Sequence, residues 1–188
     1  MNLIGTHDTE RVLTILGNPR KVRENAYAYN AVQAGLRLTD EERARGTKLL
    51  KMISALQFTL FGFPCVYYGD EAGMEGMSDP FCRYPFPWHN INKEINGHYK
   101  KLGEIRRGEE AFSGGEFKIT RASGGYFEFV RYKKEEKKYI LVAVNMADEP
   151  IKVHAAGGVN LYTGKRVVGN PTLKCGEFLI VKMKGEVK

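Results

Sequence analysis

Residues 2–14 read Asn-Leu-Ile-Gly-Thr-His-Asp-Thr-Glu-Arg-Val-Leu-Thr. An apolar pair, Leu3-Ile4, meets Gly5 and then delivers His7 and Asp8, two adjacent side chains that can bond hydroxyl groups. That pattern predicts a buried strand ending at an active-site face; the alternative is a strand-end hydrogen bond with no catalytic role. A second stretch, residues 62–88, reads GFPCVYYGDEAGMEGMSDPFCRYPFPW. Here β-forming Cys65-Val66-Tyr67-Tyr68 predicts a short strand, and the following Gly- and Pro-rich loop runs to about Asn92. Loops of that length in compact domains are usually functional.

Between the two stretches, Thr39-Asp40-Glu41-Glu42 is a capping box opening a helix from Thr39 to about Leu60, with Leu49, Ile53, Leu56 and Leu60 as its apolar face. Asn25 to Leu36 reads as a further helix, with Ala26, Tyr29 and Val32-Gln33 near one side. Ile95, Tyr99, Leu102 and Ile105 mark another, ending near Gly108. From about Phe112 the period drops to two, with strands at 116–121, 126–132, 139–144, 150–154, 159–162 and 178–183. Short strands with frequent turns predict an antiparallel sandwich.

Composition narrows the classes. The chain has 188 residues, 43% hydrophobic and 27% charged, the balance of a globular protein. It has no run of eighteen apolar residues and no basic-then-apolar leader, so neither a membrane span nor a signal peptide is expected. The net charge of +7 permits nucleic-acid binding, but the cations are scattered. The densest run, Lys133-Lys134-Glu135-Glu136-Lys137-Lys138, has mixed sign and reads as a solvated hairpin tip. Three cysteines, Cys65, Cys82 and Cys175, suit a reducing, cytoplasmic compartment without a disulfide framework. No ligand spacing calls for zinc or another metal, and no cofactor is implied.

Both quoted stretches resemble the α-amylase family of glycoside hydrolases: the first its last signature segment, the second its eighth barrel strand and following loop. Asp79-Pro80-Phe81-Cys82-Arg83 is most similar to the cyclomaltodextrinase, neopullulanase and maltogenic amylase branch. The resemblance implies a (β/α)8 barrel followed by a β-sandwich. On that footing residues 1–111 are the last two βα units of the barrel, residues 112–188 are the sandwich, and six βα units are missing. A retaining glycosidase needs a nucleophile and an acid/base carboxylate about 5–5.5 Å apart. The family carries them on its fourth and fifth strands, which this sequence does not contain, so the chain alone is expected to be inactive.

The resemblance makes Asp8 the family's third invariant carboxylate, stabilising the transition state through sugar hydroxyls, with His7 beside it in substrate binding. Asp79 and Arg83 match the pair lining the non-reducing side of the cleft; their alternative is an exposed loop ion pair. Phe81 and Tyr84 stand where the family often has an acid and a base. Asp70-Glu71 point apart and read as loop-bracing groups. Glu10-Arg11 read as structural or rim contacts, Met74 and Met77 as loop packing, and Trp88, Tyr67 and Tyr68 as core rather than sugar-stacking rings. His89, His98 and His154 are expected at the surface.

The implied substrate is an α-1,4-glucan: a malto-oligosaccharide, cyclodextrin or pullulan. Within the family an α-glucosidase or trehalose-related enzyme is the alternative; outside it, a non-catalytic carbohydrate-binding or assembly module. Two barrel strands without neighbours are expected either to drive self-association or to leave the barrel remnant loosely ordered.

Overall fold

The computed structural model describes residues 1–187. The chain divides into two compact units, one of residues 1–57 and 62–100, the other of residues 58–61 and 101–188.

In the first unit, strand β1 (Asn2–Leu3) pairs in parallel with β2 (Pro64–Cys65), Asn2 opposite Pro64 and Leu3 opposite Cys65. Parallel strands cannot be joined by a hairpin, and the intervening chain is helical: α1 (Val12–Gly17), α2 (Pro19–Asn25), α3 (Asn30–Gly35) and α4 (Asp40–Thr59), whose last two residues belong to the second unit. The capping box is formed: the Glu42 amide donates to Thr39 Oγ1 at 3.2 Å and the Thr39 amide donates to Glu42 Oε2 at 2.9 Å. Glu42 also accepts from Lys21 Nζ at 2.6 Å and from the Asn18 amide, tying the start of α4 to that of α2. These donors hold the Glu42 carboxyl down at about 2.

Several expectations need correction. The helix expected over 25–36 is two helices offset from it, interrupted at residues 26–29, and Tyr27, Tyr29 and Val32 are exposed. The signal for α2 was present as Asn18-Pro19: the Asn18 carbonyl oxygen of the side chain caps Lys21 N at 2.8 Å, and Pro19 sits at the first turn, where its missing N–H costs nothing. The most buried residues of α4 fall on two sides of the helix, Leu50, Ser54 and Gln57 on one and Met52, Ala55 and Thr59 on the other, while Leu49, Ile53, Leu56 and Leu60 are only half-buried. Nearer the start of α4 another backbone comes close: a Cβ on Gly46 would lie 2.9 Å from the Leu13 carbonyl and 3.0 Å from Gly17 Cα. The strand expected at Leu3-Ile4 is not buried; Leu3 is 49% exposed, since β1 has β2 as its one partner among the described residues. Val66, Tyr67 and Tyr68 lie beyond β2.

Helix α5 (Lys93–Gly108) runs from the first unit into the second, with Ile95, Tyr99, Leu102 and Ile105 buried along one side as its spacing predicts. His98 is buried too, 2% exposed, against the expectation of a surface site. Its Nε2 lies 2.8 Å from Ser54 Oγ, which returns a bond to the Leu50 carbonyl at 2.6 Å. Burial, helped by the Lys51 charge, lowers the imidazole to about 4. His89 and His154 are at the surface as expected.

The second unit begins its own elements with α6 (Ala111–Gly114) and continues all-β: β3 (Glu116–Ser123), β4 (Tyr126–Tyr132), β5 (Lys138–Asn145), β6 (Ile151–Lys152), β7 (Val159–Asn160), β8 (Thr172–Leu173) and β9 (Glu177–Lys184). A five-stranded antiparallel sheet has the order β3-β4-β5-β9-β7, and β6 pairs with β8 in a second antiparallel layer. The β3–β4 connection is the two residues Gly124-Gly125, both at positive φ (54° and 86°), as a hairpin turn matched to strand twist requires. Between the two layers lie Tyr126, Val130, Leu141, Ala143, Val153, Leu173 and Val181. The opposite side of the main sheet buries Phe129, Ile140, Val142 and Ile180, so β5 is apolar on both faces, which explains its unbroken run of hydrophobic residues. Lys133–Lys137 is the turn between β4 and β5, the solvated tip that its mixed charge predicts. Strand β8 was not foreseen; a two-residue strand is too short to show a period.

Candidate active-site constellation

The two signature stretches lie against one another. The Arg11 amide donates to the Gly76 carbonyl at 3.0 Å, and the Gly76 amide donates to Thr14 Oγ1 at 2.9 Å. After β1 the chain turns tightly: the Asp8 amide donates to Thr6 Oγ1 at 3.2 Å and Thr9 Oγ1 accepts from the Thr6 amide at 3.2 Å. Short hydroxyl side chains that bond nearby backbone favour such turns, and here they present His7 and Asp8 outward; the Asp8 side chain is 69% exposed.

The loop after β2 brings Arg83 to the same place. Its residues Phe81–Arg83 form one 3₁₀ turn. Arg83 Nε donates to the His7 carbonyl at 3.0 Å and lies 3.0 Å from Asp79 Oδ1, while Nη2 lies 3.4 Å from Asp8 Oδ1. His7 Nε2 stands 3.2 Å from Asp8 Oδ2. The buried Cys82 thiol, raised by desolvation above its ordinary value and therefore protonated at neutral pH, donates to the same His7 carbonyl at 3.1 Å. The four residues singled out from sequence, His7, Asp8, Asp79 and Arg83, thus form one cluster, with a guanidinium bridging two carboxylates. Ion pairs this exposed contribute little to stability. What they provide is an alternation of rigid donors and acceptors facing solvent, suited to bonding sugar hydroxyls.

Beneath the cluster is a support that the sequence did not reveal. Arg11, read as a structural or rim residue, is wholly buried with Asp70, Nη1 to Oδ1 3.3 Å, and Nη1 also donates to the Tyr68 carbonyl. Its guanidinium lies 4.2 Å from the Tyr67 ring centre and 4.7 Å from that of Tyr68. Asp70 Oδ2 has no donor among the described residues, so burial outweighs the attraction of Arg11 and pushes the carboxyl up to about 6. Glu71, by contrast, braces its own loop by accepting from the Gly69 amide at 2.8 Å. Gly5 is needed here, since a Cβ would lie 2.7 Å from Asp70 Oδ2. A second brace, Glu75, accepts from the Leu38 amide at 2.8 Å and pairs with Arg43. Nothing local in the sequence pairs Arg11 with Asp70 or Arg43 with Glu75; their separations make them tertiary contacts.

Met74 and Met77 are core, and the aromatic residues divide: Phe81 is core too. Tyr67 is half-buried, whereas Tyr68 and Trp88, expected in the core, are exposed, Trp88 at 75%. Tyr68 nevertheless has its hydroxyl anchored, donating to the Tyr84 carbonyl at 3.0 Å. No group of three or more His, Cys, Asp or Glu side chains able to hold a metal occurs among the described residues, and no described helix is long and apolar enough to cross a membrane.

Comparison with known proteins bears on this cluster. No protein-family model matches the chain. A cyclomaltodextrinase of Geobacillus thermopakistaniensis (strain MAS1) is 31% identical over 183 residues, 93% of this chain and 26% of that protein. A cyclomaltodextrinase of Thermoanaerobacter pseudethanolicus is 38% identical over 146 residues, 77% of this chain and 20% of the relative. The crystal structure of maltogenic amylase from S. marinus superimposes with a TM-score of 0.71 at 27% identity, over 96% of this chain and 22% of that one. The chain is similar to the C-terminal part of α-amylase-family glycoside hydrolases. It spans about a quarter of the length of these α-amylase-family relatives, or less.

Proposed function

We propose that the chain is the carbohydrate-holding C-terminal portion of a retaining α-glucan hydrolase acting on α-1,4-linked malto-oligosaccharides, cyclodextrins or pullulan. The observation that carries this is the convergence of Asp8, His7, Asp79 and Arg83 from two segments, about 70 residues apart in the chain, into one exposed donor–acceptor cluster. Residues 1–111 are read as the last part of a (β/α)8 barrel, supported by the parallel β1–β2 pair with helices between, and residues 112–188 as its β-sandwich. In that reading Asp8 bonds hydroxyls of the sugar at the cleavage point and stabilises its distorted ring in the transition state, with His7 assisting. Asp79 and Arg83 hold the next sugar by a bidentate grip on a vicinal diol. The nucleophile and acid/base belong to preceding strands, so the chain alone turns over no glycoside.

The test fuses the chain to the preceding part of the T. pseudethanolicus cyclomaltodextrinase. The fusion is expected to hydrolyse β-cyclodextrin, and Asp8→Asn to lower kcat by about 10²-fold or more, since an interaction made in the transition state is removed. Turnover unaffected by Asp8→Asn, or turnover by the unfused 188 residues, overturns the reading.

A further inference from the structure

Two local features of the first unit work against folding stability and meet at one cavity. Trp88, the single tryptophan, leaves most of its indole in water although it follows a well-packed loop. It is held there: the Phe86 ring lies 4.6 Å away at 54°, Pro87 restricts the backbone between them, and the Trp88 and Asn90 amides close successive turns on the Phe86 and Pro87 carbonyls. Gly97 sits inside α5, where glycine is about 1 kcal/mol worse than alanine, yet a Cβ added there would meet nothing within 4 Å. No packing within this unit calls for either residue. They share an open surface concavity of about 460 Å3, lined also by His89, Ile91, Lys93, Asn96 and Lys100. Positions 93, 96, 97 and 100 fall on one face of a helix. Gly97 therefore lies on the same helix face as Lys93, Asn96 and Lys100, in a shallow groove that the indole also lines. Neither lysine has an acidic partner among the described residues, and Asn96 is oriented by its bond to the Glu71 carbonyl at 3.3 Å.

Residues that break local preference without an internal reason point to function. We propose that this groove is a second sugar-binding site, separate from the Asp8–Arg83 cluster, which takes a segment of α-1,4-glucan chain. A pyranose has apolar C–H faces and a rim of hydroxyls. The indole covers one such face, Gly97 lets the ring approach the helix backbone, and Lys93, Lys100, His89 and Asn96 donate to the hydroxyl oxygens. The lining carries no carboxylate. The choice of an α-glucan rests on the function proposed above.

Because Trp88 is the sole tryptophan, its fluorescence reports the groove directly. Titration of the 188-residue chain with maltoheptaose is expected to give a saturable change in emission, with cellotetraose at least ~10-fold weaker, a difference of about 1.4 kcal/mol. Gly97→Leu fills the groove from open space on a helix that favours leucine; it should weaken the response ~10-fold or more with far-UV dichroism unchanged, whereas Arg83→Ala should leave it within ~2-fold. A missing response, one unaltered by Gly97→Leu, one abolished by Arg83→Ala, or an equal response to cellotetraose overturns the proposal. Calorimetry in parallel separates the two readings: heat of binding lost in Arg83→Ala with no change at Trp88 removes the second site and leaves the function intact.

Discussion

Two buried ionisable residues of the first unit respond to pH in opposite senses. Asp70, raised to about 6 from an ordinary 3.8, binds its proton more tightly folded than unfolded. Its contribution is complete below pH 3.8 and is lost as pH rises through 6. His98, lowered to about 4 from 6.5, binds its proton less tightly when folded. Its contribution is complete above pH 6.5 and is lost as pH falls through 4. Each shift corresponds to roughly 3 kcal/mol, so between pH 4 and 6.5 they oppose one another. Urea unfolding across this window should find stability nearly level in the parent chain, falling with acidity in Asp70→Asn and rising with acidity in His98→Gln. Parallel slopes in all three would show that neither group titrates as its burial requires. Arg83 is tested in the fused enzyme. Arg83→Ala removes a grip on the sugar next to the one at the cleavage point, so KM for malto-oligosaccharides long enough to reach it should rise ~10-fold, with a smaller fall in kcat because Arg83 also touches Asp8, and with a smaller effect on short substrates. Equal losses on long and short substrates would assign Arg83 to holding the His7 turn instead.

At the scale of elements, glycines at two helix positions have opposite expected effects. A Cβ added to Gly46 in α4 would lie 2.9–3.0 Å from the backbone of Leu13 and Gly17. Gly46→Ala gains helix propensity but forces α1 away from α4, and should destabilise the chain by about 1–3 kcal/mol. Gly97→Ala in α5 meets open space and should stabilise by up to ~1 kcal/mol. Thermal or urea unfolding of the two variants checks the pair, and a stabilising Gly46→Ala would show that the α1–α4 approach is not close-packed. Leu49, Ile53, Leu56 and Leu60 have helical spacing, but the deepest burial in α4 lies to either side of them and includes Ser54, Gln57 and Thr59, and hydrophobic spacing alone does not register polar residues packed inside.

For the whole molecule, the consequential feature is the pair β1 and β2, parallel and with no further strand paired to either among the described residues. Parallel strands are ordinarily covered on both faces and bonded along both edges; here Leu3, Phe63 and Tyr68 are exposed beside them. The 188-residue chain should therefore self-associate through this region. Size-exclusion chromatography with light scattering should give a dimer or larger species, with amide exchange at residues 2–4 and 63–66 slowing as concentration rises. A monodisperse monomer at all concentrations would dismiss this.

What the sequence determined by itself was everything whose cause is local or repeated. The capping box at Thr39 and Glu42, the face of α5 and the strands of the second unit other than β8 follow from propensity and period, because neighbouring residues in the chain are the interacting ones. His7, Asp8, Asp79 and Arg83 were legible for a different reason: their motifs resemble those of the α-amylase family. Tertiary structure alone decided that these four meet. It alone set Arg11 on Asp70, Ser54 on His98 and Gly46 on Gly17, and it alone left Trp88 in solvent. Each depends on which distant segment fills the adjoining space, and one-dimensional patterns carry no record of that.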